Sequence, residues 1–263
     1  MNEQRNKGIV SSIISGKGGV GKSFVTVNLA SELGRKGKRV AVIDADMGLS
    51  NVATMINQDT PFSVVDWIKG RADLTDVYQK SPYFTLVTVS HDLMHNTIDQ
   101  NLLLNALDQI VDELRSSHDY VLIDSPAGAG SMVFWALDSA DYANLILIDE
   151  PSAISDIYKL SKYVLQVSPQ YPFCAIVNMA ESADHAIRVY ERFNEIMNTF
   201  QDYSLPYLGG IKRDKAVSNA IQQQLPLFKS HQNTASKLAL IKLAEQTILL
   251  DTTRATKINK NIV

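Results

Sequence analysis

The segment that decides the fold is IISGKGGVGKSFVTVNLASELG, residues 13–34. It joins the end of an apolar run over 9–15 to a glycine-rich stretch, and then to a segment with the apolar spacing of a helix. Strand, loop and helix in this order are the context in which G-x-x-x-x-G-K-[ST] is a phosphate-binding loop. That pattern requires only Lys22, so the earlier lysine of the loop, Lys17, needs an explanation of its own.

The chemistry predicted for the loop follows from its residue types. Glycines let backbone N–H groups converge on phosphate oxygens, where a Cβ atom would obstruct them. The helix that follows adds its N-terminal dipole. Lys22 would reach the β- and γ-phosphates, and Ser23 would hold Mg²⁺. A turn that merely joins strand to helix is the alternative, which the flanking pattern disfavours. The predicted nucleotide contacts are Gly16, Gly18, Gly19, Val20, Gly21, Lys22, Ser23 and Phe24.

Composition limits the class of protein. The 263 residues are 45% hydrophobic and 20% charged, enough for one large α/β domain or two small ones. A net charge of -3 argues against coating nucleic acid through bulk charge. The single cysteine, Cys174, excludes an internal disulfide and an internal CxxC metal or iron–sulfur site, and its apolar surroundings predict a core residue. With no signal peptide or membrane span visible, we expect a soluble, cytoplasmic protein.

Apolar runs alternate with helical patterns along the chain. The predicted strands cover 9–15, 39–44, 84–90, 120–125, 144–149, 173–179 and 207–211, and the predicted helices 23–36, 98–116, 152–166, 183–200, 215–224 and 234–250. Strands that are apolar throughout favour a parallel sheet covered on both faces. The expected fold is therefore α/β, with a doubly wound, mostly parallel sheet of about seven to eight strands and helices on both faces.

The same pattern divides the chain into one domain and two tails. We expect a short polar N-terminal tail over 1–7, a single domain over 8–250 and a frayed polar C-terminal tail over 251–263. In the helix over 183–200, five apolar residues at spacings of three and four predict its buried face: Ile187, Tyr190, Phe193, Met197 and Phe200.

Two further segments place carboxylates at strand ends, where ligands of an open α/β sheet bind. In VIDADMGLSN, residues 42–51, Asp46 is placed to orient an attacking water, and Asp44 to position Mg²⁺ or the loop. An acidic turn or helix cap would explain Asp46 alone, but not the combined pattern. In YVLIDSPAGAG, residues 120–130, Asp124 is predicted to act on Mg²⁺, and the Pro- and Gly-bearing loop after it would sense the γ-phosphate.

The loop over 17–23, KGGVGKS, resembles the deviant Walker A motif, K-G-G-x-G-K-[ST], of the MinD/ParA ATPases. The resemblance implies a P-loop NTPase of the SIMIBI class that binds ATP and Mg²⁺ and is a homodimer when ATP is bound. It also implies that Lys17 contacts the nucleotide of the other subunit, acting like an arginine finger, and that Asp46 is the catalytic aspartate. Lys17, Lys22 and Asp46 are the predicted catalytic residues; Ser23, Asp44 and Asp124 are the predicted metal site. A solvated side chain is the alternative for Lys17.

A narrower resemblance comes from the sequence DMGLSN, residues 46–51. It looks like the D-x-G-L-x-N motif of MinD and of the FlhG flagellar-number ATPases. It differs from the D-P-Q-G of ParA proteins. The segments over 150–160, 176–182 and 207–228 also look most like FlhG. This implies a dimerising switch with slow ATP hydrolysis that sets the number or placement of flagella. The alternatives are a MinD/ParA-like ATPase that positions division machinery or DNA, a P-loop small-molecule kinase or ligase, and a scaffold that holds ATP without cleaving it.

The resemblance extends to base recognition. It implies that Asn178, at the end of a strand, contacts adenine, although Asn is otherwise an ordinary turn residue there. The family's G-x-I-P-x-D loop, which packs beside the base, reads GGIKRD over 209–214, with Lys212 in place of proline. Ile211 and Asp214 are the predicted contacts from this loop.

Partners are predicted only in outline. The apolar segment over 236–250 is expected to close the core rather than bind membrane, and the basic groups after it are too few for stable anchoring. The N-terminal residues do not match the FlhG segment that stimulates a partner GTPase. The resemblance implies flagellar assembly or regulatory proteins as partners, with DNA unfavoured as a specific ligand. Peripheral membrane or polar association stays open.

Overall fold

A single eight-stranded sheet organises the molecule, as seen in a computed structural model that describes residues 7–47, 51–90, 98–229 and 233–260. The strand order is β3-β4-β2-β5-β1-β6-β7-β8, and only the β3–β4 pair is antiparallel. The strands are β1 Ile9–Ile14, β2 Val40–Asp44, β3 Gln79–Lys80, β4 Thr85–Thr88, β5 Tyr120–Asp124, β6 Tyr142–Leu147, β7 Phe173–Ala180 and β8 Tyr207–Lys212. The predicted doubly wound, mostly parallel sheet is confirmed. The two-residue edge strand β3 has no apolar run and was not predicted.

Ten helices lie in the described part of the chain, six of them at the predicted places. They are α1 Lys22–Arg35, α2 Asn51–Met55, α3 Val64–Ile68, α4 Leu74–Val77, α5 Gln100–Ser117, α6 Ser131–Asp138, α7 Pro151–Val167, α8 Ala183–Gln201, α9 Lys215–Gln222 and α10 Ala235–Lys260. The unpredicted helices, α2, α3, α4 and α6, have four to eight residues, too few for an apolar period to emerge. The start of α3 was nevertheless readable, since Ser63 and Asp66 form a capping box.

The sheet is buried on both faces. Because successive strand residues point to opposite sides, neighbouring residues of one strand pack in different clusters. Ile13 packs in the cluster that contains α1 and α10, whereas Ile14 packs in the cluster that contains α7 and α8. A third cluster joins β2, β4 and β5 to α5. Cys174 lies buried in the α1 and α10 cluster, which confirms its prediction as a core residue.

The predicted buried face of α8 is partly wrong. Ile187 is 42% exposed and Phe200 is 68% exposed, while the buried residues are Ala186, Val189, Phe193 and Met197. The face rotates at the start of the helix because β8 approaches α8 closely there. A Cβ atom at Gly210 would lie only 2.4 Å from the Ala186 Cβ, so a small side chain takes the buried position.

Helix α10 continues to Lys260, beyond the expected end near residue 250. The polar residue expected to begin a frayed tail, Asp251, is 5% exposed and lies close to the Tyr120 phenol. Burial and this carboxylate raise the pKa of Tyr120. Residues 1–6 and 261–263 of the expected tails lie outside the described residues. Where the chain is described, none of the helices has the length and apolarity needed to cross a membrane.

Candidate nucleotide-binding site

Strand order brings the predicted site residues together. Strands β2, β5 and β1 are neighbours, with Asp44 paired to Asp124 in register and Asp124 paired to Ile13. The phosphate-binding loop leaves β1 directly after this point, between Ile14 and the first residue of α1, Lys22. Three segments far apart in sequence therefore meet at the carboxyl edge of the sheet, where open α/β folds bind ligands.

Two glycines of the loop allow contacts that no other residue permits. Gly21, at φ 90°, precedes α1, and a Cβ atom there would lie 2.3 Å from the Asn178 amide nitrogen. A Cβ atom at Gly16 would lie 2.4 Å from the backbone nitrogen of Ile157 in α7. The loop is therefore pressed against β7 on one side and α7 on the other, which holds its backbone in place. Gly21 provides no side-chain cap, so the first N–H groups of α1 suit an anion.

Lys22 is held at the base of the loop. Lys22 is 9% exposed, and its ammonium donates to the Ser15 hydroxyl at 2.9 Å. Burial lowers the pKa of Lys22, and the charges of Asp124 and Asp46 act in the opposite direction. Both carboxylates therefore lie close enough to favour the charged ammonium, as a phosphate-binding lysine requires.

Asp124 and Ser23 fit a magnesium ion. Oδ1 of Asp124 accepts the Thr26 hydroxyl at 3.1 Å, and the Ser23 side chain lies close enough to this carboxylate to lower its pKa. Oδ2 is fully buried and has no hydrogen-bond partner among the described residues. Burial raises the pKa of Asp124, although Ser23 and Lys22 oppose this effect. A buried carboxylate oxygen without a donor beside a serine hydroxyl is a ligand set that suits Mg²⁺.

The two aspartates after β2 differ in their contacts. Asp44 is fully buried, and its carboxylate accepts the backbone N–H of Asp46 at 3.4 Å and of Val52 at 3.2 Å. Asp44 therefore contacts the backbone of two residues that follow β2; its roles in placing the loop or the metal stay predictions. Asp46 is partly exposed, and its charge acts on Lys22 and Asp124. Residues 48–50 of the motif lie outside the described residues.

Lys17 contacts its own chain. Its ammonium donates to Glu150 and, at 3.4 Å, to the Ser152 hydroxyl, at the start of α7. The Lys17 and Glu150 side chains are 45% and 42% exposed, so the pair is at the surface. The hydrogen bond from Lys17 lowers the pKa of Glu150. An exposed, surface-paired ammonium can exchange partners at low cost.

A pocket of about 300 Å³ lies beside the loop, between the end of β7 and α9. Its lining includes Phe24, Asn178, Lys212 and Asp214. The Asn178 amide donates to the Val20 carbonyl at 2.8 Å, so Asn178 also fastens the loop to β7. Asp214 caps α9 by accepting the Ala216 N–H at 2.9 Å. Ile211 is 1% exposed and packs in the core beneath.

Sequence reasoning missed three residues that support the site: Ser15, Thr26 and Glu150. Thr26 lies four residues after Lys22, one helical turn along the face of α1, so the helix period carried a signal. Ser15 is a polar residue at the end of an apolar strand, and Glu150 stands at the end of a strand beside a proline. Neither position indicates its partner, because the partners come from other segments.

Comparisons with known proteins find relatives along nearly the whole chain. A ParA family model, described as NUBPL iron-transfer P-loop NTPase, matches residues 7–248. The antiactivator FleN of Pseudomonas aeruginosa is 31% identical over 242 residues, 90% of this chain and 85% of that protein. The flagellum site-determining protein YlxH of Helicobacter pylori is 31% identical over 237 residues, 89% of this chain and 79% of that protein. The structure of septum site-determining MinD with Mg-ADP from Pyrococcus horikoshii has a TM-score of 0.73 and 25% identity, over 91% of this chain and 95% of that chain. With matches across nearly its whole length and the site geometry above, this chain belongs to the ParA/MinD family of P-loop NTPases.

Proposed function

We propose that this protein is an ATP- and Mg²⁺-dependent switch that dimerises when ATP is bound, hydrolyses it slowly and sets the number or placement of flagella. The observation that carries the proposal is the pair of lysines in one loop. Lys22 is buried and points to the site of its own chain, whereas Lys17 is exposed and lies in a surface ion pair. A single-chain phosphate site has no use for the second cation.

Each residue of the site would have a separate role in binding ATP or in cleaving it. The N-terminus of α1 and Lys22 bind the phosphates, and bound Mg²⁺ would neutralise charge on the β- and γ-oxygens. Ser23 and Asp124 would hold the ion. Asp46 would accept a hydrogen bond from the water that attacks the γ-phosphorus, as the bond to the leaving ADP oxygen breaks. Lys17 would leave Glu150 and stabilise the charge that develops in the partner's site.

Nucleotide selection would rest on the pocket beside the loop. Because the Asn178 nitrogen already donates to Val20, its oxygen would remain to accept a hydrogen bond from the adenine amino group. Lys212 and Arg213 would make this rim more basic than the proline-bearing form of the family.

The names of the relatives support a flagellar role. FleN is an antiactivator and YlxH determines the flagellum site, and each matches most of this chain. We expect action in the cytoplasm, through flagellar assembly or regulatory proteins. A role in iron transfer through cysteine ligands is disfavoured, because Cys174 is the one cysteine of the chain and lies buried in β7.

Light scattering with ATP and Mg²⁺ tests the switch. Asp46→Ala is expected to remain a dimer because ATP is not cleaved, and Lys17→Ala to remain a monomer. Lys36→Ala is the matched control, since Lys36 forms a comparable surface pair with Glu245 of α10, and it should behave like the unaltered chain. A dimer formed by Lys17→Ala, or a monomeric Asp46→Ala, would refute the trans role of Lys17.

The alternative output is a division or DNA-positioning role, which the likeness to MinD supports. Flagella counted by electron microscopy in cells that carry Asp46→Ala separate the two. Altered flagellar number with normal division sites supports the flagellar role. Misplaced septa, or DNA binding by the ATP-bound dimer that falls steeply with salt, would support the alternative.

A further inference from the structure

The Ser15 hydroxyl occupies a place that neither the loop motif nor the two acidic segments explain. Ser15 ends the segment before the loop and is fully buried. Its hydroxyl donates to the Lys17 carbonyl at 2.8 Å. A hydroxyl has one proton, so with that proton committed, only its lone pairs can face Lys22. The Lys22 ammonium donates to them at 2.9 Å, which makes Ser15 an acceptor for this cation.

This arrangement fixes the ammonium before any phosphate arrives. A buried cation without an acceptor is costly, and an ammonium has three N–H donors. One is directed at Ser15, which leaves two for phosphate oxygens. The bond to Ser15 thereby fixes the position of the Lys22 ammonium, while its two remaining N–H donors stay available to phosphate oxygens. Such prior positioning reduces the ordering needed in the transition state.

Ser15 also contacts other segments of the site. Its carbonyl accepts the Gly128 N–H at 3.1 Å, from the loop that follows β5. Its hydroxyl fixes the peptide of Lys17, whose side chain lies in the surface pair with Glu150. One residue therefore contacts the Lys22 ammonium, the Lys17 backbone and the loop after Asp124.

We propose that Ser15 is a positioning residue for phosphoryl transfer, which holds the Lys22 ammonium in place for the phosphates and ties it to the Lys17 peptide. This inference rests on the proposed ATPase function. Burial alone does not require such contacts, because the hydroxyl of Ser11 in β1 is also buried and has no partner among the described residues. Ser11 is therefore a matched control.

The test is steady-state ATP hydrolysis by Ser15→Ala, Ser15→Thr and Ser11→Ala, with melting midpoints measured alongside. Hydrogen bonds to charged groups are among the stronger ones, so kcat of Ser15→Ala is expected to fall about tenfold or more. KM should change less than about threefold, because the backbone N–H groups of the loop carry ground-state binding. Ser15→Thr, which keeps the hydroxyl, should recover most of kcat, and Ser11→Ala should match the unaltered chain.

Three results would overturn the inference: an unchanged kcat in Ser15→Ala, an equal loss in Ser11→Ala, or an equal loss in a well-folded Ser15→Thr. If Ser15→Ala does not fold, Ser15→Cys replaces it, because sulfur is a weak acceptor of similar size; a lowered kcat supports the inference and an unchanged one overturns it. An unaltered chain that hydrolyses no ATP refutes the proposed function, and the inference falls with it. Normal hydrolysis in both the unaltered chain and Ser15→Ala refutes the inference alone.

Discussion

Replacing Gly16 with alanine should destabilise the protein, because the first residue of the phosphate-binding loop lies against α7. The new Cβ atom would lie 2.4 Å from the Ile157 backbone nitrogen and 2.6 Å from the Asp156 carbonyl carbon. Both are main-chain atoms of a helix whose residues Ile154, Ile157 and Leu160 are buried, so no side-chain rotation relieves the overlap.

Two effects of opposite sign set the magnitude. Overpacking of this kind costs about 1–3 kcal/mol. Alanine also restricts the unfolded chain, which returns about 0.4–1 kcal/mol where the native backbone is unstrained. The net loss is therefore about 1–2 kcal/mol, since the overlap with main chain is the larger effect. For a domain of this size that lowers the melting midpoint by about 2–8 °C.

Thermal unfolding followed by circular dichroism, without nucleotide, measures this loss. The matched control is Gly18→Ala in the same loop, where a Cβ atom would meet nothing within 4 Å in the described chain. Its midpoint should stay the same or rise slightly. If Gly16→Ala melts at the same temperature as Gly18→Ala, then α7 does not confine the loop and the reasoning is wrong.

Three further predictions concern single side chains. Gly34→Ala should lower the melting midpoint, because its Cβ atom would lie 2.1 Å from the Tyr83 carbonyl oxygen. Helix propensity alone favours alanine by about 1 kcal/mol, so a raised midpoint would contradict this reasoning. Burial lowers the pKa of His118 below 6.5, so the unfolded chain binds its proton first and stability falls as the pH drops below that value. Urea titrations at pH 7.5 and 5.5 should show a smaller acid loss in His118→Gln, and an equal loss would refute this. Asn178→Ala leaves the Val20 carbonyl without its donor, so ATP binding measured by calorimetry should weaken about tenfold; unchanged affinity would show that the contact does not hold the loop.

Much of the fold was readable because its signals are local. All seven predicted strands and all six predicted helices are present, since each has an apolar run or period long enough to stand out. The predictions are wrong where a segment distant in sequence packs against the helix. The start of α8 buries Ala186 instead of Ile187 because β8 lies close. Helix α10 passes residue 250, and Asp251 is buried there close to Tyr120 of β5.

The residues of the candidate site also fall into two groups, those indicated by local motifs and those whose roles depend on tertiary contacts. Lys22, Ser23, Asp46 and Asp124 follow from short motifs, because phosphate and metal binding require certain residue types at set spacings. The roles of Ser15, Thr26 and Glu150 depend on which atoms approach them from elsewhere. Hydrogen bonds and close contacts are properties of distance, and the distances between β1, β5 and α7 are set by packing of the whole sheet. The amino-acid sequence thus specifies the residue types with which the loop binds phosphate. Packing of the folded core determines which neighbouring residues hold the loop in place.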